Sequence, residues 1–115
     1  MCNENVTMAY GMAYLRRSMP DTLRDVRRVD RMRHMIPALM QRIGDPDAMV
    51  EDMTAVHARL TAAAASLTIR ARWARGRDRE GVTGAGMLLR RRIREIDGWL
   101  PLFRPDAALH DRSRP

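Results

Sequence analysis

The sequence has no lysine, a single cysteine and only five aromatic residues among its 115 positions. The lone cysteine, Cys2, cannot form an internal disulfide, which is typical of a reducing compartment. A secretory signal needs a basic segment followed by an apolar one, and the first residues contain neither. A membrane span needs an apolar run of about 18 residues, and no run approaches that length. We therefore expect a cytoplasmic protein without a membrane segment.

The strict alternation of apolar and polar residues that marks β-strands is also missing. Apolar residues instead recur every three or four positions in four segments, as expected for helices that bury one face. The spacing predicts a first helix over residues 7–17 and a second that begins near Pro20. Because proline removes a backbone hydrogen bond and clashes with the preceding turn, Pro37 predicts a kink or break near residues 34–36.

The third helix has the clearest start in the sequence. Asp45 can cap the first amides, Pro46 suits the first helical position, and Gly44 suits the end of the helix before it. Such a short link predicts an antiparallel pair of helices. The apolar ladder then continues regularly, which predicts a long central helix over about residues 46–75.

The last third of the chain is divided by glycine and proline. Four glycines among charged residues predict a mobile loop over residues 76–86, and a fourth helix is expected over residues 85–97, ended by Gly98 and Pro101. After it, three apolar residues should fold back as a hydrophobic plug: Trp99, Leu102 and Phe103.

These elements predict an all-α protein. The expected architecture is a small antiparallel helical bundle of about four helices, because helices with one apolar face bury it against one another. The bundle domain covers residues 1–103. Residues 104–115 contain little that could be buried, and they are predicted to form a disordered tail.

Residues with catalytic or ligand chemistry form no recognisable motif. The histidines and Cys2 lack metal-ligand spacing, and the glycine-rich stretch lacks the lysine of a phosphate-binding loop. We therefore predict a protein that is not an enzyme and uses no metal, cofactor or small-molecule substrate. One helical-enzyme hypothesis stays open, in which Arg33 on the apolar ladder points inward to an anionic substrate. The alternative is that its side chain extends to the surface.

Arginine supplies all 21 basic residues, and its placement is uneven. Residues 70–94 hold nine arginines and two acids, so this window carries the whole net charge of +7. In an antiparallel bundle the window would lie at one end and concentrate positive potential there. The alternative is a solvated surface matched to helix dipoles. The predicted site for an anion or acidic partner comprises Arg70, Arg72, Arg75, Arg77, Arg79, Arg90, Arg91, Arg92 and Arg94.

The first helix is apolar on nearly all sides until Arg16. A helix of this kind needs burial on two sides, one of which a second chain could supply. The alternative is that its own domain encloses it. Tyrosine and methionine are favoured in interfaces, so we predict a partner or dimer interface formed by Met8, Tyr10, Met12, Tyr14 and Leu15.

Two functional hypotheses follow from these surfaces. The first is a small regulatory or adaptor protein that binds a partner protein stoichiometrically, as an antiactivator or inhibitor does, and that forms a homodimer. The second is a regulator that binds nucleic acid through the basic pole of residues 70–94, with an affinity that falls steeply with salt.

Overall fold

The computed structural model describes residues 3–104, apart from the side chain of Asn3. Within this range the chain forms four helices and no strand: α1 (Asn3–Ser18), α2 (Pro20–Met40), α3 (Pro46–Ala71) and α4 (Arg77–Phe103). This confirms the predicted all-α bundle. The predicted tail, apart from Arg104, lies outside the described residues.

Neighbouring helices run antiparallel, as charged contacts between them show. For each pair of helices, two contacts show that the residue number rises along one helix as it falls along the other. The contacts are Asp25–Arg59 and Arg28–Asp52 between α2 and α3, His57–Asp97 and Asp47–Arg104 between α3 and α4, and Glu4–Arg91 and Arg17–Asp78 between α1 and α4. The topology is therefore up-down-up-down, with α4 in contact with all three other helices.

The start of α3 is formed as the sequence predicts. The Asp45 carboxylate accepts hydrogen bonds from the amides of Asp47 and Ala48 at 3.0 and 3.2 Å, and Pro46 begins the helix. Gly44 adopts a positive φ of 106°, which a side chain would make costly, and this lets the chain reverse after α2. Pro37 does not break α2, which continues unbroken to Met40.

The apolar ladders of α2 and α3 form the centre of the core. The buried members of these ladders are Val29, Met32, Leu39, Met49, Met53, Val56, Leu60 and Leu67. They pack with α4 through Val82, Ala85, Leu88, Leu89 and Ile96, which are also buried. Trp99 and Phe103 pack partly against this core from the last turns of α4, whereas Leu102 stays exposed.

The predicted loop over residues 76–86 is wrong. Helix α3 ends at Ala71, a short turn follows, and α4 begins at Arg77, so most of the stretch is helical. Gly81, Gly84 and Gly86 are buried in α4. The predicted helix end near Gly98 and Pro101 is also wrong, because α4 continues to Phe103.

Two glycines of α4, Gly81 and Gly84, lie against α1. A Cβ atom on Gly84 would stand 1.9 Å from the Thr7 carbonyl oxygen, and one on Gly11 would stand 2.3 Å from the Gly84 carbonyl carbon. A Cβ on Gly81 would stand 2.9 Å from the Cβ of Tyr14. Two backbones can approach this closely only without side chains between them. The crossing of Gly11 and Gly84 therefore fixes α1 on α4.

This crossing yields a matched prediction on stability. We expect Gly84→Ala to destabilise the fold by about 3 kcal/mol or more, since backbone atoms must move to admit the methyl group. Gly98 is exposed and helical, and a Cβ added to it would have no other atom within 4 Å. Gly98→Ala should therefore stabilise by about 0.5–1 kcal/mol. Urea unfolding followed by circular dichroism measures both. Equal effects of the two substitutions would contradict the close helix crossing.

Candidate binding surfaces

The face of α1 that the sequence marks as an interface is largely used by the chain itself. Leu15 is completely buried and Tyr14 is 8% exposed, both within the domain core. Met8 and Met12 are partly buried against that core. Of the five predicted interface residues, Tyr10 alone is largely exposed, at 45%. In the folded chain Leu15 and Tyr14 are therefore not available to a partner, because the glycine crossing draws this face onto α4.

The predicted basic pole is divided into two parts. Arg70, Arg72, Arg75, Arg77 and Arg79 lie at the turn between α3 and α4, where the sequence predicts them. Arg90–Arg94 lie in the middle of α4. Arg90 lies thirteen positions after Arg77 in the sequence, which is about 20 Å along a helix. The prediction of a single pole is wrong because it depended on a loop that is in fact helical.

The arginines in the middle of α4 are partly neutralised by acids of other helices. Arg91 pairs with Glu4 of α1. Arg92 Nε lies 3.0 Å from Asp30 Oδ1 of α2, although this buried nitrogen makes no hydrogen bond. Arg90 and Arg94 are exposed. Arg91 and Arg92 therefore help to hold α1 and α2 against α4, whereas Arg90 and Arg94 leave positive charge on the surface.

Arg33 lines an open surface depression with Arg91, Arg92, Arg94 and Glu95, and acidic neighbours hold its side chain. Its Nε and Nη2 donate to both oxygens of Glu95 at 2.6 and 2.7 Å, and Nη2 also donates to Asp30 at 3.0 Å. The hydrogen bonds to Glu95 raise the pKa of the Arg33 guanidinium above its usual value, although partial burial opposes this. With Arg92 close to the same two acids, the four side chains form a neutral network between α2 and α4.

The arginines at the turn between α3 and α4 are, with one exception, unpaired. Arg70 donates to the Tyr14 hydroxyl oxygen at 3.0 Å. The other four have no ion pair or hydrogen bond of their side chains within residues 4–104: Arg72, Arg75, Arg77 and Arg79. Trp73 stands among them with 80% of its surface exposed. We call residues 70–79 the basic turn.

A second surface, which sequence reasoning missed, is an open groove between α2 and α3. Its volume is about 1070 Å³. Buried side chains form its floor, namely Met32, Leu39 and Met49, and Met35 and Ile43 border it with 50% and 61% of their surfaces exposed. We call this the α2–α3 groove. Ile43 follows Leu39 at helical spacing in the sequence, but periodicity alone cannot tell a buried position from an exposed one.

Charge is distributed unevenly across the rim of this groove. The α2 side carries Arg28, Arg31 and His34, and the α3 side carries Glu51 and Asp52, with Asp45 at the end of the link. Arg28 and Asp52 pair across the groove at 2.8 Å. Arg31 and Glu51 are exposed and have no such pair in the described part of the chain. One rim is thus basic and the other acidic.

The network around Arg33 gives a test of its structural role. Because Arg33 and Glu95 are partly exposed, at 40% and 29% of their side chains, we expect Arg33→Ala and Glu95→Ala to be coupled by only about 0.5–1 kcal/mol. The exposed pair Arg24–Asp21, at 3.4 Å, is the control and should show weaker coupling. Double-mutant cycles in chemical denaturation measure both pairs. Coupling no larger than in the control would contradict the network.

No described helix is long and apolar enough to cross a membrane. Within the same residues, no group of three or more histidine, cysteine or acidic side chains is placed to hold a metal ion. No protein family model matches the chain, and no match was found among curated proteins or solved structures.

Proposed function

We propose that this chain is a small, non-catalytic regulatory or adaptor protein of the cytoplasm. It acts by binding a partner protein stoichiometrically, in the way of an antiactivator or inhibitor, and it forms a homodimer. The observation that carries this proposal is the α2–α3 groove, an apolar channel of about 1070 Å³ on the surface of the bundle.

The side chains of the groove suit a protein ligand. Met35 and Ile43 are largely exposed beside buried Met32, Leu39 and Met49, so an apolar channel faces solvent. Methionine is unbranched and polarizable, and it adapts to ligands of different shape. Grooves between two helices commonly bind the apolar face of a third, amphipathic helix. The expected occupant is such a helix.

The charges of the rim specify that occupant further. Arg31 and His34 border the α2 side, so the bound helix should carry acidic residues on the flank that faces them. Glu51 borders the α3 side, so the opposite flank should be basic. Complementary flanks fix the direction of approach and exclude helices of the opposite charge arrangement.

The same arrangement makes the charges of the two rims complementary to those of a second copy. If two copies face each other about a two-fold axis parallel to α2 and α3, the basic rim of each lies opposite the acidic rim of the other. A two-fold axis across the helices would instead bring like charges together. The first arrangement is the homodimer that we propose, and a partner helix would compete with it for the groove.

Charge substitutions in the groove test this proposal. We expect Met35→Glu and Ile43→Glu to convert the dimer to a monomer, because each places a charge in the apolar contact. Leu102→Glu is the matched control, since Leu102 is 49% exposed at the end of α4, and Tyr10→Glu tests the α1 surface. Light scattering across a dilution series measures the oligomeric state. A wild-type chain that is monomeric at every concentration, or a dimer that only Tyr10→Glu disrupts, would contradict the groove dimer.

Partner binding is tested separately from dimerisation. Proteins that co-purify with the wild-type chain from its host should be lost with Met35→Glu and retained with Leu102→Glu. Calorimetric titration of a purified partner should then give one partner per chain and competition with dimer formation. A partner bound equally by both variants would place the site outside the groove.

A further inference from the structure

The basic turn presents an aromatic ring to solvent among unpaired cations. Trp73 is 80% exposed, the largest exposure of any described large hydrophobic residue. Four arginines lie within six positions of it in the sequence: Arg72, Arg75, Arg77 and Arg79. Their guanidinium groups have no partner within the described part of the chain. An exposed indole beside unpaired cations suits a ligand with flat rings and negative charge.

The position of Trp73 is set by backbone contacts of the turn. Its amide donates to the Arg70 carbonyl oxygen at 3.0 Å, and the amide of Ala74 donates to the same oxygen at 3.0 Å. Ala71 and Ala74, on either side of Trp73, pack partly against the core. The backbone of the turn is thus anchored on both sides of Trp73, and the indole is exposed to solvent. An anchored backbone lowers the conformational entropy that is lost when a ligand binds.

We infer that the basic turn is a binding site for single-stranded nucleic acid. The Trp73 indole stacks on an unpaired base, and Arg72, Arg75, Arg77 and Arg79 contact the adjacent phosphates. Single-strand sites generally combine a cationic surface with a stacking aromatic ring, and their sequence preference is weak because every base has a flat face. In a duplex the bases are paired and stacked on one another, so the indole has no unpaired base to stack on.

Other anionic ligands explain these residues less well. A membrane surface would need a broad apolar face, and in the basic turn and the last turn of α3 the exposed large hydrophobics are Trp73 and Ile69. An acidic protein would use the arginines but has no particular need for an exposed ring. Local acids do not cancel the site, because Asp78 pairs with Arg17 at 3.7 Å and Glu80 is the one further acid of this region.

This site is independent of the proposed groove. Nineteen residues of α3 separate Asp52 at the groove from Ala71 at the turn, which is about 28 Å along the helix. Met35→Glu should therefore leave nucleic-acid binding unchanged, and substitutions in the basic turn should leave the dimer unchanged. Failure of one proposal is thereby distinguished from failure of the other.

Intrinsic fluorescence reports directly on Trp73. The chain has two tryptophans, so the full-length Trp99→Phe variant retains Trp73 as its single indole reporter. Titration with oligothymidylate of about twelve nucleotides, within the usual site size, should quench this fluorescence at low salt. With four phosphate contacts, the logarithm of the affinity should fall against the logarithm of salt concentration with a slope of about −3. Absence of quenching at low salt would overturn the proposal.

Substitutions separate stacking from simple charge attraction. By anisotropy of a labelled oligothymidylate, Trp73→Ala should weaken binding by about 5- to 150-fold, the range found for stacked bases. Arg75→Ala with Arg77→Ala should weaken binding and lower the salt slope by about 1 to 2. The control Arg90→Ala with Arg94→Ala removes the same charge from exposed positions of α4 and should keep the wild-type slope. Unchanged circular dichroism melting of each variant excludes unfolding as the cause.

Two further probes distinguish the competing ligands. Heparin, a polyanion without bases, should bind with no dependence on Trp73. Vesicles of phosphatidylglycerol should leave Trp73 emission unchanged. The proposal is overturned if Trp73→Ala binds oligothymidylate as tightly as the wild-type chain. It is also overturned if the arginine control weakens binding as much as the basic-turn variant does. The third contrary outcome is a change of Trp73 emission with vesicles and none with oligothymidylate.

Discussion

The close crossing of α1 and α4 at Gly11 and Gly84 is the constraint on which the rest of the structure depends. Because a Cβ on either glycine would collide with the backbone of the other helix, the two helices are held at a fixed position along their axes. Arg17 then meets Asp78 near one end of α1, and Glu4 meets Arg91 near the other. The crossing therefore determines which part of α4 is covered by α1.

Because α1 has 16 residues and α4 has 27, α1 covers only the first half of α4. Just beyond the contact of Glu4 with Arg91, α2 approaches α4 instead. There Asp30 and Arg33 meet Arg92 and Glu95. The ion network thus joins α2 to α4 beyond the part of α4 that α1 covers. Its four charges cancel, so Arg92 adds no net charge to the surface, whereas Arg90 and Arg94 of the same segment stay exposed.

The sequence predicted those features that periodicity determines. The ladders of α2 and α3, the Asp45 cap and the antiparallel link were all read from local patterns, and the structure bears them out. The prediction of a loop at the glycines of α4 is wrong because glycine occurs both in loops and in close helix contacts. Local sequence does not distinguish the two. The role of Gly84 lies in its contact with α1, which is distant in the sequence. A loop over residues 76–86 would place Arg90–Arg94 at the end of the bundle, whereas they lie in the middle of α4.

Surfaces were harder to predict than the core for a related reason. A ladder position such as Ile43 looks the same in sequence whether it is buried, like Leu39, or exposed beside a groove. The exposure of Trp73 depends on the turn that carries it, and local sequence does not specify that turn. Both surfaces lie toward an end of the bundle: the groove lies beside the link between α2 and α3, and the basic turn lies between α3 and α4. At helix ends, packing no longer determines which apolar side chains are covered, so residues kept exposed there are available for ligands.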